Sequence, residues 1–186
     1  MKVIHIVIAT ILLTCLSGPV LAKAGNGWGG GSTAALTEQE AVNLTFLREE
    51  EKLARDVYLV FHHYWGATIF ANIAVSEQNH MDAVERLIIT YGLEDPAENN
   101  GAGVFTNTAL QELYHELVER GTGEGFTLAD ALDVGVLIEE MDIEDIEGMQ
   151  TETGKRDIER VLANLLAGSF NHLAAFEQSV NLLESQ

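Results

Sequence analysis

Apolar residues recur every three or four positions along most of the chain, which is the spacing of one face of an α-helix. No segment keeps the strict alternation of apolar and polar residues that indicates a half-buried strand. The pattern predicts four long helices, over about 38–64, 68–91, 128–146 and 155–183, and one short helix over about 108–120. The sequence therefore predicts an all-α fold.

The link between the second and third long helices, residues 92–126, is far longer than the other two links and is rich in Gly and Asn. Short links make neighbouring helices antiparallel, whereas a long link allows two helices to run parallel. Two helical hairpins joined by one long crossover form the ferritin-like arrangement. We therefore expect a ferritin-like four-helix bundle, with a long crossover between helices 2 and 3 that carries the short extra helix.

The first residues have the pattern of an export signal. Lys2 gives a positive start, residues 3–16 are almost wholly apolar, and Ala22-Lys23-Ala24 is a small-x-small cleavage site. The apolar run is shorter than the roughly 20 residues that span a bilayer as a helix. We therefore expect the protein to be exported, to the periplasm or the extracellular space, without stable membrane insertion after cleavage. A retained membrane anchor is the alternative.

Cleavage behind Ala24 would divide the chain into three parts. Residues 1–24 are the expected signal peptide, residues 25–36 a Gly-rich flexible tether, and residues 37–186 the ferritin-like four-helix domain. Cys15 lies in the part that is removed, so the mature chain would contain no cysteine and no disulfide. Without thiolates, an iron–sulfur cluster is excluded.

The chain is strongly acidic, with 29 Asp and Glu against 10 Lys and Arg and a formal net charge of −19. This composition excludes nucleic-acid binding, which needs clustered Lys and Arg, and it excludes adhesion to anionic lipid. The acids would instead attract cations. We expect the partners to be a metal ion or a small-molecule oxidant, and the sequence does not indicate an oligomeric state.

Glu77 and His80 form the most informative pair in the sequence. Residues three apart on a helix leave the same face. Phe70 and Ile73 before the pair and Val84 after it lie at helical spacing, so both side chains fall on the buried stripe of helix two. A carboxylate oxygen and a neutral imidazole nitrogen that converge on one point suit a transition metal better than an apolar core.

The other three long helices each place an acid or a His on their own apolar stripe. In helix one the stripe passes through Glu51, although the neighbours of Glu50 are nearly as apolar. In helix three Glu139 has apolar neighbours on both sides, whereas Glu140 is flanked partly by acids. In helix four the stripe includes His172. Each helix is therefore expected to bring an oxygen or nitrogen donor to the inside.

Several buried carboxylates without partners would be costly and would protonate rather than stay charged. A bound cation removes this difficulty. Carboxylates and imidazoles with open positions suit iron or manganese, and zinc or copper compete for the same donors. We expect one or two ions. Two alternatives stay open: the acids lie on solvated helix faces, or they pair with Arg48, Arg55 or Arg86 and bind no metal.

Four segments resemble ferritin-like or rubrerythrin-like di-iron proteins. Residues 51–58 and 76–81 are similar to the first half of a di-iron site, and residues 131–140 and 168–176 are similar to one branch of that superfamily. That branch is the uncharacterised family known as domain of unknown function 2202, and the likeness covers about 36–183. The resemblance implies a ferritin-like fold and a metal site. Its implied ligands are Glu51, Glu77, His80, Glu139 and His172.

The second copy of the ligand motif departs from the family pattern. Ferritin-like di-iron sites usually carry Glu-x-x-His twice, and here the second copy is Ser169-x-x-His172. One carboxylate is therefore missing from helix four. Solvent or Glu140 would fill the position, and Asp142, one turn after Glu139, is a further donor.

These observations favour an exported metal-binding protein, with iron, in a di-iron pair or alone, and chemistry linked to O2 or peroxide. By analogy with the superfamily, that chemistry is of the oxidoreductase or ferroxidase type. The alternative is an exported metal-binding or interaction module without turnover, which the Ser at position 169 favours.

Overall fold

Residues 35–185 are described by a computed structural model of the protein, and they form five helices and no strand. The prediction of an all-α fold is confirmed. The predicted signal segment and residues 25–34 of the predicted tether lie outside the described range. No helix within 35–185 combines the length and the apolar character needed to cross a membrane. The helices are α1 (Glu38–Trp65), α2 (Thr68–Tyr91), α3 (Thr108–Thr122), α4 (Leu128–Glu152) and α5 (Arg156–Glu184).

The helix ends have local causes in the sequence. Thr37 and Glu40 form a capping box at the start of α1, with each side chain bonded to the backbone of the other. Thr127 accepts a hydrogen bond at the start of α4. Gly66 and Gly92 end α1 and α2 with φ values of 70° and 67°, which a side chain would disfavour.

The third long helix is longer than predicted, since α4 continues to Glu152. The predicted end was about 146, yet Gly148, a residue that disfavours helix, lies inside α4 on its exposed side. A single Gly costs a helix only about 1 kcal/mol relative to Ala. Met149, the next residue, is buried in the core, and this packing holds the last turn in place.

The four long helices pack as two antiparallel hairpins, α1 with α2 and α4 with α5, and the hairpins face each other through α1–α4 and α2–α5. Asn43 near the start of α1 donates a hydrogen bond to Glu152 at the end of α4, so these helices are antiparallel. Tyr91 at the end of α2 likewise donates to Asp157 at the start of α5. It follows that α2 and α4 run parallel, which the long crossover between them permits. The α3 helix packs against α1 and α4.

The core is divided into two apolar clusters with a polar band between them. One cluster is centred on Tyr58, Phe70 and Phe176, and the other contains Leu47 and Leu162. On each long helix, residues of one cluster precede the band and residues of the other follow it. The band contains Glu51, Glu77, His80, Glu139, Asp142, Ser169 and His172.

Residues 48–52, Arg-Glu-Glu-Glu-Lys, are all buried although only one of them was expected on the inner stripe. The crossover covers their outer side. Arg48 makes a two-pronged contact with Asp95, Glu49 accepts backbone N–H bonds just before α3, and Lys52 donates to a crossover carbonyl. The crossover therefore supplies partners for Arg48, Glu49 and Lys52, three of the five residues in this buried run.

Asp56 is the other half of this buried network. Its side chain is fully buried and accepts bonds from Lys52 Nζ at 2.6 Å, from Arg55 at 2.6 Å and from the backbone N–H of Gly103 at 2.9 Å.

We expect Asp56→Ala to lower the free energy of unfolding by about 3–5 kcal/mol, because it leaves the buried Lys52 charge unpaired. Urea unfolding followed by circular dichroism measures this change. The exposed Glu147→Ala serves as control and should stay within about 0.5 kcal/mol of the parent. Equal stability of both variants would contradict the prediction.

Candidate metal centre

The polar band between the two apolar clusters brings together all five residues that the sequence predicted as ligands. Each long helix contributes at least one of them, and each of the five is at most 9% exposed. The helix stripes explain this convergence, since each donor occupies a position that its helix turns toward the core. The five residues are Glu51 from α1, Glu77 and His80 from α2, Glu139 from α4 and His172 from α5.

These side chains form two overlapping groups of three that could hold a metal ion. In the His80 triad, Nδ1 of His80 lies 2.8 Å from Glu77 Oε2 and 3.1 Å from Glu51 Oε2. In the His172 triad, Nδ1 of His172 lies 2.9 Å from Glu77 Oε1 and 3.4 Å from Glu139 Oε2. Glu77 belongs to both triads and turns one oxygen toward each imidazole.

These spacings fit a metal ion. Two ligand atoms about 2.1 Å from an ion and at right angles to each other are about 3.0 Å apart. Glu77 Oε1 and His172 Nδ1 are 2.9 Å apart, yet both atoms are buried without a hydrogen bond, so the contact lacks hydrogen-bonding geometry. Glu51 Oε1 is also buried and without a partner. An unpartnered buried polar atom costs about 1–3 kcal/mol, and a cation shared by these atoms would remove that cost.

Two hydrogen bonds hold the His172 triad from behind. Tyr58 donates its hydroxyl to Glu139 Oε1 at 2.6 Å, which leaves the other oxygen of Glu139 facing the imidazole. Nε2 of His172 lies 2.9 Å from Ser76 Oγ. In the neutral ring, with Nε2 as the donor in this bond, Nδ1 has a lone pair for a ligand. Nothing in the spacing of Ser76 had indicated its contact with His172.

Two glycines allow close approaches around the site. A Cβ at Gly168 would lie 2.5 Å from Nε2 of His80, so only Gly leaves the ring in its place against α5. A Cβ at Gly135 would lie 2.7 Å from the ring of Phe176. Gly135 therefore makes room for the ring of Phe176, which also packs against Tyr58.

The four further candidates from the sequence have different positions. Glu140 is exposed, because it follows Glu139 by one residue and points away from the core, so it does not join the site. Glu50 is buried beside the triads and is hydrogen-bonded to Asp145. Asp142 and Ser169 are buried and bonded to each other at the edge of both triads. No pattern in the sequence had indicated Asp145.

The arginines that might have neutralised the inner acids bind elsewhere. Arg48 contacts Asp95, and Arg55 contacts Asp56. Arg86 is exposed. In the described part of the chain, the triad acids therefore face the two histidines. The interpretation in which Arg48 or Arg55 pairs with these acids is wrong.

The charges in the site are strongly coupled. Burial alone would raise the pKa of Glu77, but the facing imidazoles outweigh it and hold the pKa at about 2. Burial opposes the charging of His172, yet Glu139 and Glu77 raise its pKa to about 9. Burial raises the pKa of Glu139 and of Asp142 to about 7 in each case. Burial also raises the pKa of Glu51 well above its usual value. Protons thus occupy the positions where a cation would bind.

Comparison with known proteins adds a family. Residues 40–185 match the family described as uncharacterized protein domain DUF2202. The chain belongs to this family. The uncharacterized protein MJ0754 of Methanocaldococcus jannaschii is 47% identical over 146 residues, which cover 78% of this chain and 77% of that protein. The description of the family names no reaction.

Two solved structures have a similar fold. The crystal structure of the hypothetical protein MJ0754 from Methanococcus jannaschii has a TM-score of 0.79 and 44% identity, and the match covers 84% of this chain and 87% of that one. A DUF305 fragment from Deinococcus radiodurans has a TM-score of 0.58 at 13% identity, with 80% and 99% covered. The second likeness concerns the fold alone.

The protonation of the triads predicts a pH-dependent metal affinity. The pKa of His172 is about 9, so its imidazole is protonated below that pH and a cation must displace the proton. The apparent affinity for the cation should therefore rise about tenfold per pH unit per displaced proton between about pH 6 and about pH 8. Calorimetric titration with Mn²⁺ in two buffers of different ionisation enthalpy counts the protons released. His115→Ala, a change at an exposed His, should leave the slope unchanged. Affinity independent of pH, with no proton release, would contradict this account.

Proposed function

We propose that this chain is an exported, ferritin-like protein that binds one or two iron ions at the His80 and His172 triads. The observation that carries the proposal is the set of buried, unpartnered oxygen and nitrogen atoms around Glu77. A stable core would rarely keep such atoms without a partner. A cation between them gives each atom a partner.

The packing of the helices supports the ferritin-like part of this proposal. Two antiparallel hairpins joined by a long crossover, with inward donors on four helices, are the features of di-iron carboxylate bundles. In such bundles two helices each supply a Glu, and the other two each supply Glu-x-x-His. Here α1 and α4 supply Glu51 and Glu139, and α2 supplies Glu77 with His80.

The donor set favours iron or manganese. Three carboxylates and two imidazoles form a mixed oxygen and nitrogen set, and the band contains no sulfur ligand. Imidazoles are poor ligands for magnesium or calcium, whereas iron and manganese accept both donor types. Zinc and copper bind the same donors, so the metal found will also depend on supply in the compartment.

Iron bound at this position would supply one-electron chemistry with O2 or peroxide, as in an oxidoreductase or a ferroxidase. The chain itself positions the ligands and excludes water. Tyr58 holds Glu139, and Ser76 holds the ring of His172, each through a hydrogen bond. A small cleft lined by Glu50 and Asp142 has room for about one water molecule.

The alternative is a metal-binding or interaction module without turnover. Ser169 favours it, because α5 then offers one carboxylate fewer than a complete Glu-x-x-His pair of motifs. The deep burial of both triads favours it as well, since exchange with solvent would be slow.

Metal loading with histidine variants tests the proposal. Protein loaded anaerobically with Fe²⁺ and desalted should retain stoichiometric iron by elemental analysis. His80→Ala and His172→Ala should each weaken binding at their own triad by more than about 100-fold, since loss of a direct ligand costs more than loss of a residue that only orients one. The matched controls His63→Ala and His115→Ala remove exposed imidazoles and should retain all the iron. An unmodified protein without stoichiometric metal would overturn the proposal.

The same samples separate the two functions. Accelerated consumption of O2 or peroxide by the iron-loaded protein, lost in His80→Ala, supports the oxidoreductase or ferroxidase. Stoichiometric iron with consumption no faster than that of free Fe²⁺ selects the module without turnover.

Export is proposed from the first 24 residues, on the basis of Lys2, the apolar run and Ala22-Lys23-Ala24. We expect amino-terminal sequencing of protein recovered from its native source to begin at Gly25 and the protein to be found outside the cytoplasm. A chain that begins at Met1 and fractionates with membranes would show a retained anchor instead.

A further inference from the structure

We infer that Asp142, positioned by Ser169, is the fourth carboxylate of the metal centre and takes the place of the Glu that α5 lacks. This inference rests on the proposed function and goes beyond it, because it gives α4 two ligands, Glu139 and Asp142, and gives Ser169 the role of a positioning residue.

The helix positions support this exchange. Ser169 precedes His172 by three residues, as Glu77 precedes His80, so its side chain leaves α5 on the face that carries the imidazole. Ser169 donates its hydroxyl to Oδ2 of Asp142, so the Asp142 carboxylate lies against the point on α5 from which a Glu side chain would extend. The carboxylate is present there, but it comes from α4.

The other oxygen of Asp142 is free. Asp142 is 6% exposed and Ser169 is fully buried, and Oδ1 of Asp142 has no hydrogen-bond partner. One oxygen is therefore held in place while the second is available, as is usual for a metal-binding carboxylate that another residue orients. Asp142 also lies close enough to interact electrostatically with Glu51 and with both imidazoles.

The charge balance points to the same residue. Two divalent cations carry four positive charges, whereas Glu51, Glu77 and Glu139 supply only three negative ones. A net charge left between two apolar clusters would be costly. With Asp142 the centre has four carboxylates and two imidazoles and is neutral, which is the composition of the di-iron carboxylate bundles.

Glu50 is the competing candidate for this role. It is also buried, and its Oε2 has no hydrogen-bond partner. However, Glu50 points in a different direction around α1 from Glu51 and is bonded to Asp145. Asp142, in contrast, shares the face of α4 that carries Glu139.

The test is the number of ions bound per chain. Purified protein is titrated anaerobically with Co²⁺, with equilibrium dialysis for stoichiometry and the visible ligand-field bands for coordination. We expect two ions in the unmodified protein. Asp142→Asn should weaken the second ion at least about 100-fold, and Ser169→Ala should weaken it about 10-fold. The double variant with Asp142→Ser and Ser169→Glu moves the carboxylate back to α5 and should recover two ions.

Asp145→Asn is the matched control, since Asp145 lies one turn further along α4 and is bonded to Glu50 instead; it should bind two ions as the parent does. Circular dichroism checks that each variant keeps its helix content. Two tightly bound ions in Asp142→Asn, or loss of the second ion in Glu50→Gln alone, would overturn the inference and leave the proposed function standing. A single ion in the unmodified protein would overturn it too. No ion at all would overturn the proposed function itself.

Discussion

One carboxylate, that of Glu77, faces the imidazoles of both His80 and His172, and this contact joins the two helical hairpins at the centre of the molecule. His80 comes from the same helix as Glu77, whereas His172 crosses from α5. The low pKa of Glu77 reflects how strongly the two rings favour its charged form. The apolar clusters on either side would pack without this contact. The remaining acids of the polar band would then lie together without a facing imidazole.

Within residues 35–185 most buried charged groups have partners, and the buried side-chain atoms without one belong to Glu50, Glu51, Glu77, Asp142 and His172. The outer charges of α1 are satisfied by the crossover, through Asp95 and the backbone around α3. The inner charges face imidazoles, a tyrosine hydroxyl and a serine hydroxyl. A long irregular connection would otherwise be an entropic burden on the fold. Here the crossover covers the outer charges of α1 and so allows an acidic centre to be buried inside the bundle.

The sequence predicted the helices and the five converging donors well, because both depend on periodicity. A donor on the apolar stripe of an amphipathic helix must point inward, whichever helix it packs against. The contacts of Ser76, Asp145 and Lys52 were not predictable in this way, since they depend on the rotation and offset of neighbouring helices. The predicted end of α4 was wrong for a related reason. Gly148 disfavours helix locally, but the packing of Met149 continues the helix past it.

Glu49, Glu50 and Glu51 are three consecutive glutamates that contact three different neighbours. Glu49 accepts a hydrogen bond from the backbone before α3, Glu50 is bonded to Asp145, and Glu51 faces His80. Successive positions on a helix point about 100° apart, so the three carboxylates address three different neighbours at one level of the molecule. Because the three residues are identical, a one-residue step of α1 would still present a Glu to two of these neighbours. The rotation of α1 is therefore set by the unlike residues that flank the repeat, Arg48 bonded to Asp95 and Lys52 bonded to the carbonyl of Gly101.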